Sequence, residues 1–81
     1  MTDDGMMDYK LHQTETLMAS GRYDDAIRVL KSLLAEFPNE AYFHGLLASC
    51  LVSMRRLHAA EYELGIALKL SPEESFFFLV K

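Results

Sequence analysis

Eighty-one residues, 51% of them hydrophobic and 25% charged, fit one small globular domain and exclude both a disordered chain and a two-domain enzyme. The net charge of -4 is uneven: residues 1–25 hold six acids (Asp3, Asp4, Asp8, Glu15, Asp24, Asp25) against two bases (Lys10, Arg22), and the remainder is balanced. An acidic chain without a basic stripe argues against nucleic acid or an anionic membrane as the main ligand. No apolar run reaches the roughly 18 residues of a spanning helix. The opening Met1-Thr2-Asp3-Asp4-Gly5 is the opposite of a signal peptide, and the lone Cys50 forms no internal disulfide. A cytoplasmic location is the expectation.

In chain order, residues 1–6 read as a tail entering a first helix, Met6 to Ser20, with Leu11, Leu17 and Met18 on its apolar side. Gly21-Arg22 breaks the chain, glycine being the residue that tolerates a left-handed helix end. A second helix, Tyr23 to Glu36, carries Ala26, Ile27, Leu30, Leu33 and Leu34 at helical spacing. Phe37-Pro38-Asn39 separates it from a third, Glu40 to Met54, with Tyr42, Leu46, Leu47 and Leu51. After a basic turn, Leu57, Ala60, Leu64, Ala67 and Leu68 mark a fourth helix to about Leu70. Ser71-Pro72-Glu73-Glu74 has Ser as N-cap, Pro at the first helical position and Glu closing a capping box, which predicts a fifth helix, Pro72 to Lys81. No strand pattern competes, so the predicted fold is all-α with five helices.

The two halves repeat. Leu17 recurs as Leu51, Ala26 as Ala60, Leu30 as Leu64, Leu34 as Leu68 and Pro38 as Pro72, always 34 residues apart. The same shift relates Tyr9 to Phe43 and Phe43 to Phe77, which assigns this aromatic column to the core between repeats. The pattern resembles the tetratricopeptide repeat. The second unit supplies His44, Leu47, Ala48, Leu51, Ala60, Leu64, Ala67 and Pro72, and the first supplies Thr14, Leu17, Gly21, Tyr23, Ala26, Leu30 and Pro38. The resemblance divides the chain into residues 7–40, 41–74 and the first helix of a third unit, 75–81. It implies a right-handed superhelical stack of helical hairpins. Ala26, Ala48, Ala60 and Ala67 are expected to be small because helix backbones approach closely there. Lys10 and Gln13 stand where the family prefers large apolar residues. Arg55 replaces the usual turn glycine, which predicts a turn that is either strained or differently shaped, and Leu33 replaces a usual alanine, which predicts a first pair of helices pushed apart.

No catalytic constellation emerges. His12, His44 and His58 lack metal-ligand spacing with Cys50 or the carboxylates, and His12 with Glu15 reads as an ordinary surface pair. Cys50, mid-helix among leucines, reads as a buried small apolar thiol rather than a nucleophile. The four glycines are scattered, so there is no phosphate loop. Asp24-Asp25 and Glu73-Glu74 open helices, where acids complement the helix dipole. Neither an enzyme nor a cofactor or metal site is expected.

The resemblance places a partner groove on the first helix of each unit. Mapped onto this chain it comprises Asp8, Leu11, Glu15 and Met18, then Tyr42, Gly45, Ser49 and Val52, then Phe76 and Leu79. This lining is apolar with an acidic border, suited to an amphipathic helix or an extended peptide of another protein, with Gly45 leaving room for close approach. Capture of a chaperone's C-terminal carboxylate needs a Lys and Asn clamp, and Leu11, Glu15, Gly45 and Ser49 occupy those positions instead. The Gly21-x-Tyr23-Asp24-x-Ala26 turn, with Tyr42, Phe43, Gly45, Leu46, Ala48 and Cys50, also resembles type III secretion chaperones. That likeness implies an alternative role in holding an export substrate. Phe76, Phe77, Phe78, Leu79 and Val80 are too apolar all round for one helix to bury against one neighbour. A self-assembling scaffold, pairing copies through Phe76, Phe77, Phe78 and Val80, is therefore the second alternative, beside continuation of the chain into further repeats or completion by a partner helix.

Overall fold

The computed structural model describes residues 2–71, with side chains from residue 7 onward. Four helices follow one another: α1 (Thr2–Ala19), α2 (Tyr23–Glu36), α3 (Ala41–Ser53) and α4 (Leu57–Leu70), and among the described residues there is no strand. Helix α1 begins four residues before the expected Met6, because its backbone stays helical through Gly5 despite glycine's low propensity. The expected fifth helix, Pro72 to Lys81, lies outside the described residues, as do the candidate residues Phe76, Phe77, Phe78, Leu79 and Val80; the described helices number four, not five.

Turn chemistry repeats along with the sequence. After α1, the Arg22 N–H donates to the Leu17 carbonyl (2.8 Å) and the Gly21 N–H to the Met18 carbonyl (3.0 Å). After α3, the Arg56 N–H donates to the Leu51 carbonyl and the Arg55 N–H to the Val52 carbonyl, both at 2.9 Å. Each is a Schellman ending, which demands a left-handed residue at its hinge. Gly21 takes φ 79° and Arg55 takes φ 65°. The side chain on Arg55 makes that conformation costly, so the expected strain is present. Arg55→Gly should raise stability by about 0.5–1 kcal/mol in urea denaturation, since relief of the strained φ outweighs the extra freedom of glycine in the unfolded chain.

Each helix packs on the next in sequence, and α3 meets α4 more extensively than α1 meets α2. One core cluster joins Ala26, Leu30 and Leu33 of α2, Phe43, Leu46, Leu47, Cys50 and Leu51 of α3, and Ala60 of α4. Leu11, Leu17 and Met18 of α1, partly buried, pack against it. A second cluster, Ala48, Leu64 and Ala67, sits between α3 and α4. The four alanines expected at close approaches are all buried. The Phe37 and Phe43 rings meet edge to face, centroids 6.4 Å apart, and tie the connection between repeats to the core.

Two expectations fail at the ends of the stack. Tyr9, assigned to the core with Phe43, is 66% exposed, whereas Phe43 is 2% exposed. Phe43 faces α2, while no described helix stands beside α1 in the equivalent place. Leu57, expected on the apolar side of α4, is 58% exposed, although its counterpart Tyr23 packs against the core. Tyr23 has the main core cluster to pack against, and among the described residues Leu57 has no such cover. A column of a repeat is buried only where a neighbour exists to bury it.

Candidate functional site

Helices α1 and α3 hold corresponding places in the two hairpins, and a polar contact joins their sides. The Tyr42 hydroxyl donates to Glu15 Oε2 at 3.5 Å, joining the second position of one repeat to the ninth of the other. Burial, then the Glu15 charge, then this hydrogen bond raise the Tyr42 phenol above its usual titration range, so it stays a neutral donor. The ring itself is 40% exposed and lies 6.4 Å from that of Phe43, tilted against it. Asp8 and Glu15 are exposed beside this contact's helix face.

The remaining candidate residues divide by depth. Leu11, Met18 and Val52 are half-buried and pack against the core cluster, so each offers part of its side chain at most. Ser49 is half-buried. Gly45 is buried. An open crevice of about 320 Å³ adjoins Tyr42 and is lined by Asn39, Glu40, Ala41, Leu70 and Ser71 as well. A second, between α1 and α2, is lined by Gln13, Leu17, Arg22, Asp25, Arg28 and Val29. Its cations are already engaged, Arg22 and Arg28 reaching Asp25 at 2.8 and 3.1 Å.

Polar side chains hold this scaffold at places that apolar patterning did not single out. Lys10 donates to Ser32 Oγ at 2.8 Å and lies 3.8 Å from Glu36, a polar tie between α1 and α2 where the family has a large apolar residue. Thr14 is fully buried and satisfies its hydroxyl on the Lys10 carbonyl one turn back, at 2.9 Å. His44 lies between Glu63 Oε1 (2.8 Å from Nδ1) and the Pro38 carbonyl (2.9 Å from Nε2). A histidine at a large-residue position, with an acid on the facing helix, was the available signal. Among the described residues, no buried side-chain nitrogen or oxygen lacks a partner. Cys50 is fully buried, and burial pushes its thiol up to about 11, far from a reactive thiolate at neutral pH.

Among the described residues, no three His, Cys, Asp or Glu side chains gather as metal ligands, and no helix is long and apolar enough to cross a membrane. Two hairpins of one template, stacked through small residues and closed by matching turns, define a helical-repeat protein. The family model of the tetratricopeptide repeat matches residues 17–75, and the chain belongs to that family. The match starts beyond Lys10 and Gln13, the two polar departures of α1. Repeats of this family mediate protein–protein interaction and are typically non-catalytic. No curated protein and no solved structure matches the chain.

Proposed function

We propose that the protein is a non-catalytic interaction module whose α1–α3 face receives an amphipathic helix or extended segment of another protein. The observation that carries this reading is the Tyr42–Glu15 contact. It sets a half-exposed aromatic ring beside a carboxylate across the two repeats, with Leu11, Met18 and Val52 partly exposed on the same helices. The ring and the half-buried aliphatic groups supply apolar contact, and Asp8 and Glu15 select a basic end of the partner. The narrower likeness to type III secretion chaperones finds no support in the comparisons.

The immobilised protein should retain a specific polypeptide from an extract of its own cells. Tyr42→Ala should weaken that binding about thirtyfold, the usual scale for truncating an interface tyrosine, with unchanged circular dichroism. Glu15→Lys should lower the association rate for the same partner and reduce its sensitivity to salt. Retention unaltered by both substitutions, in folded protein, would place the binding surface elsewhere.

A further inference from the structure

We infer that a second copy of this chain docks its α1 on the open side of α4, so that copies stack head to tail. The two ends of the molecule are the two halves of a junction it already contains. Inside the chain, Tyr23, Ile27, Leu30 and Leu34 of α2 share the main core cluster with Phe43, Leu46 and Cys50 of α3. Shifted on by 34 residues, the α2 positions become Leu57, Glu61, Leu64 and Leu68 of α4. Shifted back by 34, the α3 positions become Tyr9, His12 and Thr16 of α1. Helical spacing puts each set along one face of its helix. Leu57, Glu61, Tyr9, His12 and Thr16 are exposed and Leu68 is half-buried, so both faces lack the cover that their interior counterparts have.

Charge decides what covers them. Glu61 stands in the column of Ile27, so a purely apolar cover would strand its carboxylate. Helices joined by a short connection pack antiparallel, which sets the second turn of α2 against the middle of α3. Between copies the same docking brings Glu61 between His12 and Thr16, an imidazole and a hydroxyl that can both donate to it. The ends are also complementary in net charge. Residues 1–25 carry six acids against two bases, whereas residues 55–71 carry three bases (Arg55, Arg56, Lys69) against two acids (Glu61, Glu63). Head-to-tail contact joins unlike ends, while pairing α4 on α4 sets Glu61 near its own copy and pairing α1 on α1 sets acid on acid.

Residues 72–81 compete for the same side of α4. In the 34-residue register they would put Phe77 in the Phe43 column and Val80 in the Leu46 column, with nothing in the column of Cys50. That cover offers Glu61 an aliphatic neighbour and no donor, and it stops short of the start of α4, where Leu57 stands exposed. Helix α1 of a second copy fills all three columns. The contact is heterologous: each added copy presents a fresh α1 or α4 face to the next, so the stack is open-ended. Asp8, Leu11 and Glu15 leave α1 on a different side, so the α1–α3 face takes no part in the junction.

Light scattering over a concentration series up to about 1 mM tests the stack. The mean mass of the wild type should climb past that of a dimer as concentration rises. Glu61→Lys and His12→Glu should each weaken self-association about thirtyfold, the first by facing donors with a cation and the second by setting two carboxylates together. Mixed in equal amounts, the two variants should assemble again, because the new cation of one meets the new carboxylate of the other and the alternate junctions are native. Both positions are exposed, so circular dichroism should be unchanged. Tyr42→Ala should leave the assembly intact, which separates the stack from the partner face. A wild type that keeps the mass of one chain at every concentration would overturn the stack and leave the side of α4 to residues 72–81. Single variants that assemble like the wild type, or a mixture that fails to recover, would overturn it as well.

Discussion

Phe43→Ala should cost about 3–5 kcal/mol of folding stability, while Tyr9→Ala, in the same column of the repeat, should change stability by no more than about 0.5 kcal/mol. The two residues differ in burial, 2% against 66% exposed, and not in their place within the hairpin. Truncating Phe43 removes the ring that meets Phe37 edge to face and opens a cavity where α2, α3 and the connection converge. A domain of this size holds roughly 5–12 kcal/mol in total, so this single change takes a large share of it. Urea denaturation of both variants measures the difference directly. Similar losses for the two would mean that Tyr9 is buried in solution, with some element covering α1 as α2 covers α3.

That contrast explains which features could be read from residues alone. Helix α2 was placed residue for residue and α4 at both ends, because apolar spacing, Gly21 and the recurrence of Leu17, Ala26 and Leu30 all point to the same boundaries. The strained turn at Arg55 followed from one missing glycine in a position whose geometry is set by hydrogen bonding. Burial at the margins did not follow. A periodic template describes an interior repeat, with neighbours on both sides, and assigns Tyr9 and Leu57 the same environment as Phe43 and Tyr23. The real environment depends on which helices stand beside them.

The candidate face was accessible in outline for the same reason. Asp8, Glu15 and Tyr42 are exposed where the template puts them, but Gly45 is buried, and Leu11, Met18 and Val52 serve the core as much as the surface. Periodicity gives the direction in which a side chain leaves its helix. It does not give the depth to which neighbouring side chains cover it. Polar contacts across large separations were harder still. The Tyr42–Glu15 bond spans 27 residues and arises from how the two hairpins dock, and the His44–Glu63 pair spans 19 and arises from how α3 packs on α4 within one hairpin. His44 looked like a size match for a large apolar residue, and its two nitrogens became meaningful only with Pro38 and Glu63 in place.

Leu33→Ala restores the residue that the family prefers at this position, yet it should destabilise the protein by about 2–5 kcal/mol. Leu33 is fully buried in the main core cluster beside Leu30 and Phe43, so its removal leaves a void there. Its counterpart 34 residues later, Ala67, is also fully buried, with Ala48 and Leu64, in the closer junction of α3 and α4. Ala67→Leu therefore overpacks that junction and should cost about 1–3 kcal/mol. At this position the first hairpin departs from the family and is filled by a large side chain, while the second keeps the usual small one and closes around it. Exchanging the residues in a double variant should give close to the sum of the two losses, because the sites belong to separate clusters. Equilibrium denaturation of the two single variants and the double variant measures all three values. A stabilised Leu33→Ala would show that consensus packing, and not the cavity, governs the first hairpin, with α1 and α2 closing together once the leucine is gone.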